Sequence, residues 1–232
     1  MSDHANGSSA SRRPGPNLIL LGPPGAGKGS LAAKLASLNF EHVSSGDFFR
    51  QEIATGSELG REFARVLKEG AFVSDEMTLA VMRKWYFGRK KNRGFLLDGF
   101  PRNLLQSQVF DEWLAQRREK LDAALFLNLG IEDSILRISQ RRVCPEDGTV
   151  YHLTFNRPEK EGKCDRCGAD LIQRSDDTEE TVSRRWRIFE ENTLPLVEKY
   201  REEGLLLDID ASPSIEEVYQ EATTKLSANN LI

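Results

Sequence analysis

Residues Asn17 to Ser30, Asn-Leu-Ile-Leu-Leu-Gly-Pro-Pro-Gly-Ala-Gly-Lys-Gly-Ser, constrain the fold of this chain more than any other stretch. Leu18 to Leu21 form a short apolar run, as expected of a strand buried on both faces. At Gly22 the composition changes abruptly. Gly22, Gly25, Gly27 and Gly29 let the backbone turn sharply and approach a ligand without a Cβ in the way. Leu31-Ala-Ala-Lys-Leu-Ala then reads as a helix, so the loop feeds a helix N-terminus, where N–H groups and the macrodipole favour an anion. Lys28 supplies a mobile positive charge for outer phosphates, and the Ser30 hydroxyl can ligate magnesium. Gly22-x4-Gly27-Lys28 is therefore a phosphate-binding loop. The general pattern has Ser or Thr directly after the lysine, whereas here Gly29 intervenes.

A chain of 232 residues suits one domain of ordinary size with insertions. Its apolar share of 39% and charged share of 29% are those of an ordinary soluble enzyme. A formal net charge of −4 argues against a dedicated nucleic-acid binder, whose domain would be basic. No stretch approaches the length of a membrane span, so no membrane association is expected. Residues 1–16 are small and polar and read as a disordered tail. Only the buried strand follows Arg12-Arg13 as an apolar segment, which argues against a twin-arginine signal. Three cysteines, all between 144 and 167, make no disulfide framework, and the cytoplasm is the default location.

Taken in order, Phe40 to Ser44 reads as a second strand, and Ser44-Ser45-Gly46-Asp47 as the capping signal for a helix from Phe48 to about Thr55. Helices are expected over Leu59 to Lys68, Asp75 to Phe87, residues 104–118 and Ile131 to Arg141. Gly94 to Asp98, Ala123 to Asn128 and Gly204 to Ile209 read as strands, and Ile215 to Lys225 as the last helix. Residues 143–173 break the rhythm with glycines, prolines and all the cysteines. Asp177 with Glu180 predicts a helix start, followed by one long helix to Arg201 kinked at Pro195. Strands alternating with helices predict an α/β fold, a parallel sheet flanked by helices on both faces.

Asp98 ends an apolar strand, where a carboxylate can orient a magnesium-bound water beside a triphosphate. Asp47 is a second candidate that helix capping explains equally well. Gly99-Phe100-Pro101-Arg102 continues at the carboxyl end of the sheet, where α/β ligands bind. Arginines recur in separate elements, at Arg50, Arg102, Arg137, Arg141, Arg142, Arg174, Arg184 and Arg185. Their forked geometry suits phosphate. Phosphoryl transfer needs positioning and charge neutralisation more than a protein base. His4, His42 and His152 have no evident triad partners.

Cys144-Pro-Glu-Asp147-Gly148 and Cys164-Asp-Arg-Cys167-Gly168 are two similar knuckles. The second is a complete C-x2-C turn; the first carries Asp147 in place of its second cysteine. Zinc accepts carboxylate oxygen as well as thiolate, so Cys144, Asp147, Cys164 and Cys167 suit a closed tetrahedral site. The alternative is three reduced thiols packed with Asp147.

On these motifs the chain resembles the adenylate kinases, which interconvert ATP plus AMP with two ADP. The resemblance runs from about Leu18 to the last helix. It rests on Gly-Pro-Pro-Gly-Ala-Gly-Lys-Gly-Ser, whose Gly-Lys-Gly-Ser order is the family's usual form, and on Ser-Ser-Gly-Asp at 44–47. Leu-Leu-Asp-Gly-Phe-Pro-Arg at 96–102, Arg-Arg-Val-Cys at 141–144 and Gln-Arg-Ser-Asp-Asp at 173–177 complete it. It implies a P-loop core (17–43, 74–141 and 179–232), a helical monophosphate-binding segment (44–73) and a small β-rich lid in its long form (142–178).

For ATP the resemblance implies Gly25, Ala26, Gly27, Lys28, Gly29 and Ser30 at the phosphates, Arg137 near the donor base, and Arg141, Val150 and Tyr151 on the donor nucleotide. For AMP it implies Ser45, Arg50, Ala71, Phe72, Val73, Gly99, Phe100, Pro101, Arg102 and Gln106. Arg174 and Arg185 would bridge toward the transferring group, so that Lys28, Arg102, Arg141, Arg174 and Arg185 carry catalysis with Mg2+ held by Ser30 and Asp98. The family holds either zinc or a hydrogen-bonded polar cluster at the four lid positions.

The Gln106 amide can both donate to and accept from an adenine edge. Related pyrimidine nucleotide kinases usually carry Asn there, and Asn103 is a departure toward them. Ser45 replaces the commoner Thr. Pro213 lies where the family often has a basic residue, which leaves ATP or GTP open as donor. The expectation is a monomeric, cytoplasmic adenylate kinase whose partners are ATP, AMP and ADP. Its rivals are a kinase for UMP, CMP or GMP, a zinc-ribbon nucleic-acid module on an ATP-binding core, and a regulator that has lost catalysis.

Overall fold

The computed structural model describes residues 15–38, 40–68 and 73–232. Its strands are β1 (Leu18–Leu21), β2 (Phe40–Ser44), β3 (Gly94–Asp98), β4 (Ala123–Asn128), β5 (Arg141–Val143), β6 (Val150–His152) and β7 (Leu206–Asp210). The helices are α1 (Lys28–Leu35), α2 (Ser45–Ala54), α3 (Glu58–Lys68), α4 (Asp75–Gly88), α5 (Leu104–Gln116), α6 (Ile131–Ser139), α7 (Glu179–Asn192), α8 (Leu194–Glu202) and α9 (Ile215–Ala228).

β1 lies at the centre of a wholly parallel sheet ordered β2-β3-β1-β4-β7, as expected from the alternating sequence pattern. Parallel neighbours need crossover connections, and helices supply them on both faces. Alternate residues of a strand face opposite sides of the sheet. Ile19 and Leu21 accordingly join one core, with Phe95, Leu97, Phe110 and Leu196, while Leu18 and Leu20 join the other, with Leu31, Leu125 and Val218. All four β1 side chains are at most 2% exposed. Each such burial contributes roughly 1.5–3 kcal/mol, which anchors the strand below the glycine loop on both sides.

Two smaller apolar clusters among the described residues are separate from these cores. Helices α2 and α3 pack Phe49 against Phe63, centroids 4.9 Å apart, with Val73 beside them. Strands β5 and β6 form an antiparallel ribbon around a cluster of Cys144, Tyr151 and Cys164. Ala71, Phe72 and residues 1–14 of the expected tail lie outside the described residues. Among the described residues no helix is long and apolar enough to cross a membrane.

Several boundaries differ from expectation. α2 begins at Ser45 rather than Phe48, because the Ser44 hydroxyl accepts from Asp47 N at 3.3 Å and so caps the helix one turn earlier. Arg141 belongs to β5, since α6 ends at Ser139. Thr178 caps α7, accepting from Thr181 N at 3.2 Å, and Asp177 is left free for another role. The expected kinked helix is two helices meeting at Thr193. Pro195 occupies the first turn of α8, where its missing N–H costs nothing.

Candidate active site

The loop between β1 and α1 is built around close backbone approach. Gly22 has φ 147°, and a Cβ there would lie 2.7 Å from Leu127 O. Gly27, at φ 85°, is the N-cap of α1 and supplies no side-chain acceptor, so the first N–H groups of the helix are available to an anion. Lys28 folds back over the loop, its Nζ donating to Gly22 O at 2.7 Å and Pro23 O at 2.8 Å. Asp98, at the end of β3, approaches the same loop: its Oδ2 is 3.9 Å from where a Cβ on Gly29 would stand.

In front of the loop lies a cleft of about 540 Å³ lined by Lys28, Arg50, Asp98, Gly99, Pro101, Arg102, Arg141, Arg174 and Arg185. The arginines come from five separate elements or connections, yet they meet. Arg102 Nε donates to Gly99 O at 2.7 Å, and Ser45 Oγ, fully buried, donates to the same oxygen at 2.8 Å. Arg141 forms a two-pronged pair with the buried Asp177, its Nε 2.9 Å from Oδ2. Arg185 pairs with Asp176, and Arg50 with Asp47. Among the described residues the Arg174 guanidinium has no hydrogen-bond or ion-pair partner, while the Arg174 carbonyl accepts from Asp177 N at 3.1 Å.

Burial and the crowding of like charge are felt by Lys28, Arg102 and Arg174. Desolvation lowers the pKa of Lys28 from 10.5 to about 8; Asp98 opposes the shift, and Arg102 and Arg141 add to it. Arg174 is lowered to about 10 by burial first, then by Arg141 and Arg50. Arg102 is lowered for the same leading reason, with Arg185 and Arg50 contributing. Six cations converge on a cleft whose own lining includes two carboxylates, Asp98 and Asp176, an excess of positive charge that suits polyanionic chains.

Other expected site residues stand differently. Gly25, Ala26, Gly27, Gly29 and Ser30 form or follow the loop, with Ser30 exposed on α1. Phe100 has its ring fully buried against Phe110 and Trp113 and does not line the cleft, although its neighbours Gly99 and Pro101 do. Val73 is buried beside Phe49. Gln106 is 2% exposed, its Oε1 accepting from Arg102 N at 2.8 Å and its Nε2 donating to Asp75 at 2.7 Å. Arg137 donates to Ser212 O at 2.8 Å, beside Pro213 and with its guanidinium over Phe155. Val150 is exposed on the ribbon, while Tyr151 is buried there, its hydroxyl accepting from Asp165 N at 2.8 Å. Arg142 turns toward Ser139 O and Arg141 O. Sequence reasoning missed the roles of Asp176 and Asp177 as arginine partners. The signal was the Arg-Ser-Asp-Asp run itself, which puts two carboxylates next to Arg174.

The four knuckle residues do meet. The ligand atoms of Cys144, Asp147, Cys164 and Cys167 all lie within 4.8 Å of one another. Cys144 Sγ is 3.3 Å from Cys167 Sγ, and Cys164 Sγ is 3.4 Å from Asp147 Oδ2. The two turns repeat one geometry: Gly148 N donates to Cys144 O at 3.1 Å and Gly168 N to Cys164 O at 2.8 Å. Three soft sulfurs and one carboxylate at this spacing could hold a metal ion.

A glycine loop on a parallel strand, feeding a helix and faced by cations, defines a P-loop enzyme of phosphate chemistry. The family model described as adenylate kinase matches residues 20–205, most of the chain. Curated adenylate kinases are similar over nearly their whole lengths. That of Moorella thermoacetica is 45% identical across 85% of this chain and 92% of its own. That of Archaeoglobus fulgidus is 41% identical across 88% and 95%, and that of Clostridium tetani 42% across 92% and 100%. The chain belongs to the adenylate kinase family, and it is therefore a nucleoside monophosphate kinase, a phosphotransferase.

The lowered pKa of Lys28 makes a signed prediction. At pH 8.5 the free lysine is mostly neutral, and bound phosphate favours its charged form, raising its pKa. Binding of ATP at pH 8.5 is expected to take up about half a proton or more, read by titration calorimetry in two buffers of different ionisation enthalpy. Proton release, or no uptake, would contradict the placement of Lys28 against the phosphates.

Proposed function

We propose that the cleft between β1, β3 and the arginines holds ATP and AMP end to end and passes the terminal phosphoryl group between them. The observation that supports this best is the convergence of Lys28, Arg102, Arg141, Arg174 and Arg185 on one cleft at the loop. In this reading Gly25 to Ser30 cradle the donor phosphates, with Arg141 beside them. Ser45, Arg50, Gly99, Pro101 and Arg102 hold the acceptor phosphate, and Val73 and Gln106 its nucleoside. Arg137 stacks near the donor base with Val150 and Tyr151 on the same side. An oxygen of the AMP phosphate attacks the γ-phosphorus, the bond to the β–γ bridging oxygen breaks, and ADP leaves from each side. The transition state spreads negative charge over the transferring oxygens, and the arginines neutralise it.

Mg2+, which this family's chemistry uses, would be held by Ser30 and by Asp98 in part through water, and when bound it neutralises phosphate oxygens. Residues 44–73 and 142–178 act as mobile covers whose closure excludes water, so that AMP rather than water receives the group. The enzyme works in this reading as a cytoplasmic monomer. The ribbon's Cys144, Asp147, Cys164 and Cys167 hold structural zinc, a reading supported by their donor set and paired turns.

Acceptor choice is tested by diphosphate formation from ATP and magnesium with AMP, GMP, UMP and CMP offered separately. AMP is expected to be preferred by at least about tenfold in kcat/KM; preference for a pyrimidine monophosphate would keep the mechanism and overturn the acceptor. For the metal, protein purified without chelator is expected to carry one zinc and to melt lower after EDTA. Substoichiometric zinc with unchanged melting would sink that assignment.

A further inference from the structure

Gln106 is held by more than its own helix. Its side-chain Oε1 accepts from Arg102 N at 2.8 Å, and its Nε2 donates to Asp75 Oδ1 at 2.7 Å. Asp75 Oδ1 also accepts from Asn103 Nδ2 at 2.9 Å, while Asn103 Oδ1 accepts from Gln106 N at 2.8 Å as the cap of α5. Asp75 itself is the first residue of α4, placed by the Ser74 cap and half-buried. A closed set of four hydrogen bonds thus joins the start of α4 to the start of α5.

The consequence concerns which way the amide points. A carboxamide has two orientations that exchange its oxygen and nitrogen, and partners decide between them. Turning the Gln106 amide over would set its oxygen against the Asp75 carboxylate, acceptor on acceptor. It would also set its NH2 against the Arg102 N–H, donor on donor. Both conflicts fall on a side chain that is 2% exposed, where unmatched polar groups cost most. The locked amide keeps one N–H and one oxygen lone pair free.

Adenine offers an acceptor at N1 beside an amino donor at C6. A 6-oxopurine offers the reverse, a donor at N1 beside an acceptor oxygen. A freely turning glutamine would serve either base, whereas a locked one serves one of them. We infer that Asp75 is a positioning residue for base selection, which fixes the amide of Gln106 in one orientation and so sets the enzyme against 6-oxopurine acceptors. The inference rests on the reading of Gln106 as the residue facing the acceptor base.

The test compares AMP with IMP, which differ at the 6-position and its neighbouring ring nitrogen, as acceptors for the full-length enzyme at saturating ATP and magnesium. Asp75→Ala is expected to lower the AMP/IMP ratio of kcat/KM by about fivefold or more. The change should appear in KM, with kcat for AMP held within about twofold. Asp75→Asn, which keeps an acceptor oxygen in place, is expected to restore most of the ratio. Asp75→Ser, polar but too short to reach Gln106, takes the place of the alanine variant should that one not fold.

Equal loss with both acceptors would mean a merely structural role and overturn the inference. Gln106→Ala separates the two readings. A ratio that moves in Gln106→Ala but not in Asp75→Ala overturns the role of Asp75 alone. A ratio unmoved in Gln106→Ala overturns the base-reading assignment, and the inference falls with it.

Discussion

Like charges forced together at the carboxyl end of the sheet are the constraint on which the rest of this structure depends. Lys28, Arg50, Arg102, Arg141, Arg174 and Arg185 line one cleft, with Asp98 and Asp176 the carboxylates among them. Burial depresses the pKa of Lys28, Arg102 and Arg174, which records the cost of holding them there. A fold tolerates such an arrangement only on a rigid base. The base is β1, buried on both faces, whose end fixes the loop, and β3, whose end fixes Asp98 and the Gly99 carbonyl that takes both Arg102 and Ser45.

The carboxylates that are present act as holders. Asp177 is buried against Arg141 and Asp176 engages Arg185, so two guanidiniums are aimed by groups on the connection just before α7. A buried carboxylate with a fork-to-fork arginine fixes orientation as well as charge. Arg174, on the same connection, has no such holder among the described residues, and its charge stays available to a phosphate. The four knuckle residues sit on the same excursion between α6 and α7 as Arg174.

Much of this was legible in the sequence. Leu18–Leu21, Gly94–Asp98 and Ala123–Asn128 are apolar runs too short for helices, and each is a strand of the sheet with both faces covered. The glycine loop announced its own geometry, since φ 147° at Gly22 and φ 85° at Gly27 demand glycine. Boundaries were less legible where two caps compete: Ser44 and Asp47 stand three residues apart, and Ser44 won. What could not be read was the partner of a side chain across long separation. Asp177 meets Arg141 over 36 residues, and Asp75 meets Gln106 over 31. Motif spacing also cannot tell a residue that offers its backbone from one that offers its side chain, which is why the buried rings of Phe100 and Tyr151 emerged only with the fold.

The claim that these cations are kept for a ligand and not for the fold is tested most directly at Arg174. The measurement is urea unfolding of the free enzyme for Arg174→Met, set beside its rate of phosphoryl transfer. Removing a desolvated, unpaired charge while keeping its apolar stem is predicted to leave stability unchanged or raise it by up to about 1 kcal/mol. Transfer is predicted to fall by about 100-fold or more. A variant that loses more than about 1 kcal/mol of stability, or one that transfers phosphoryl normally, would contradict the account.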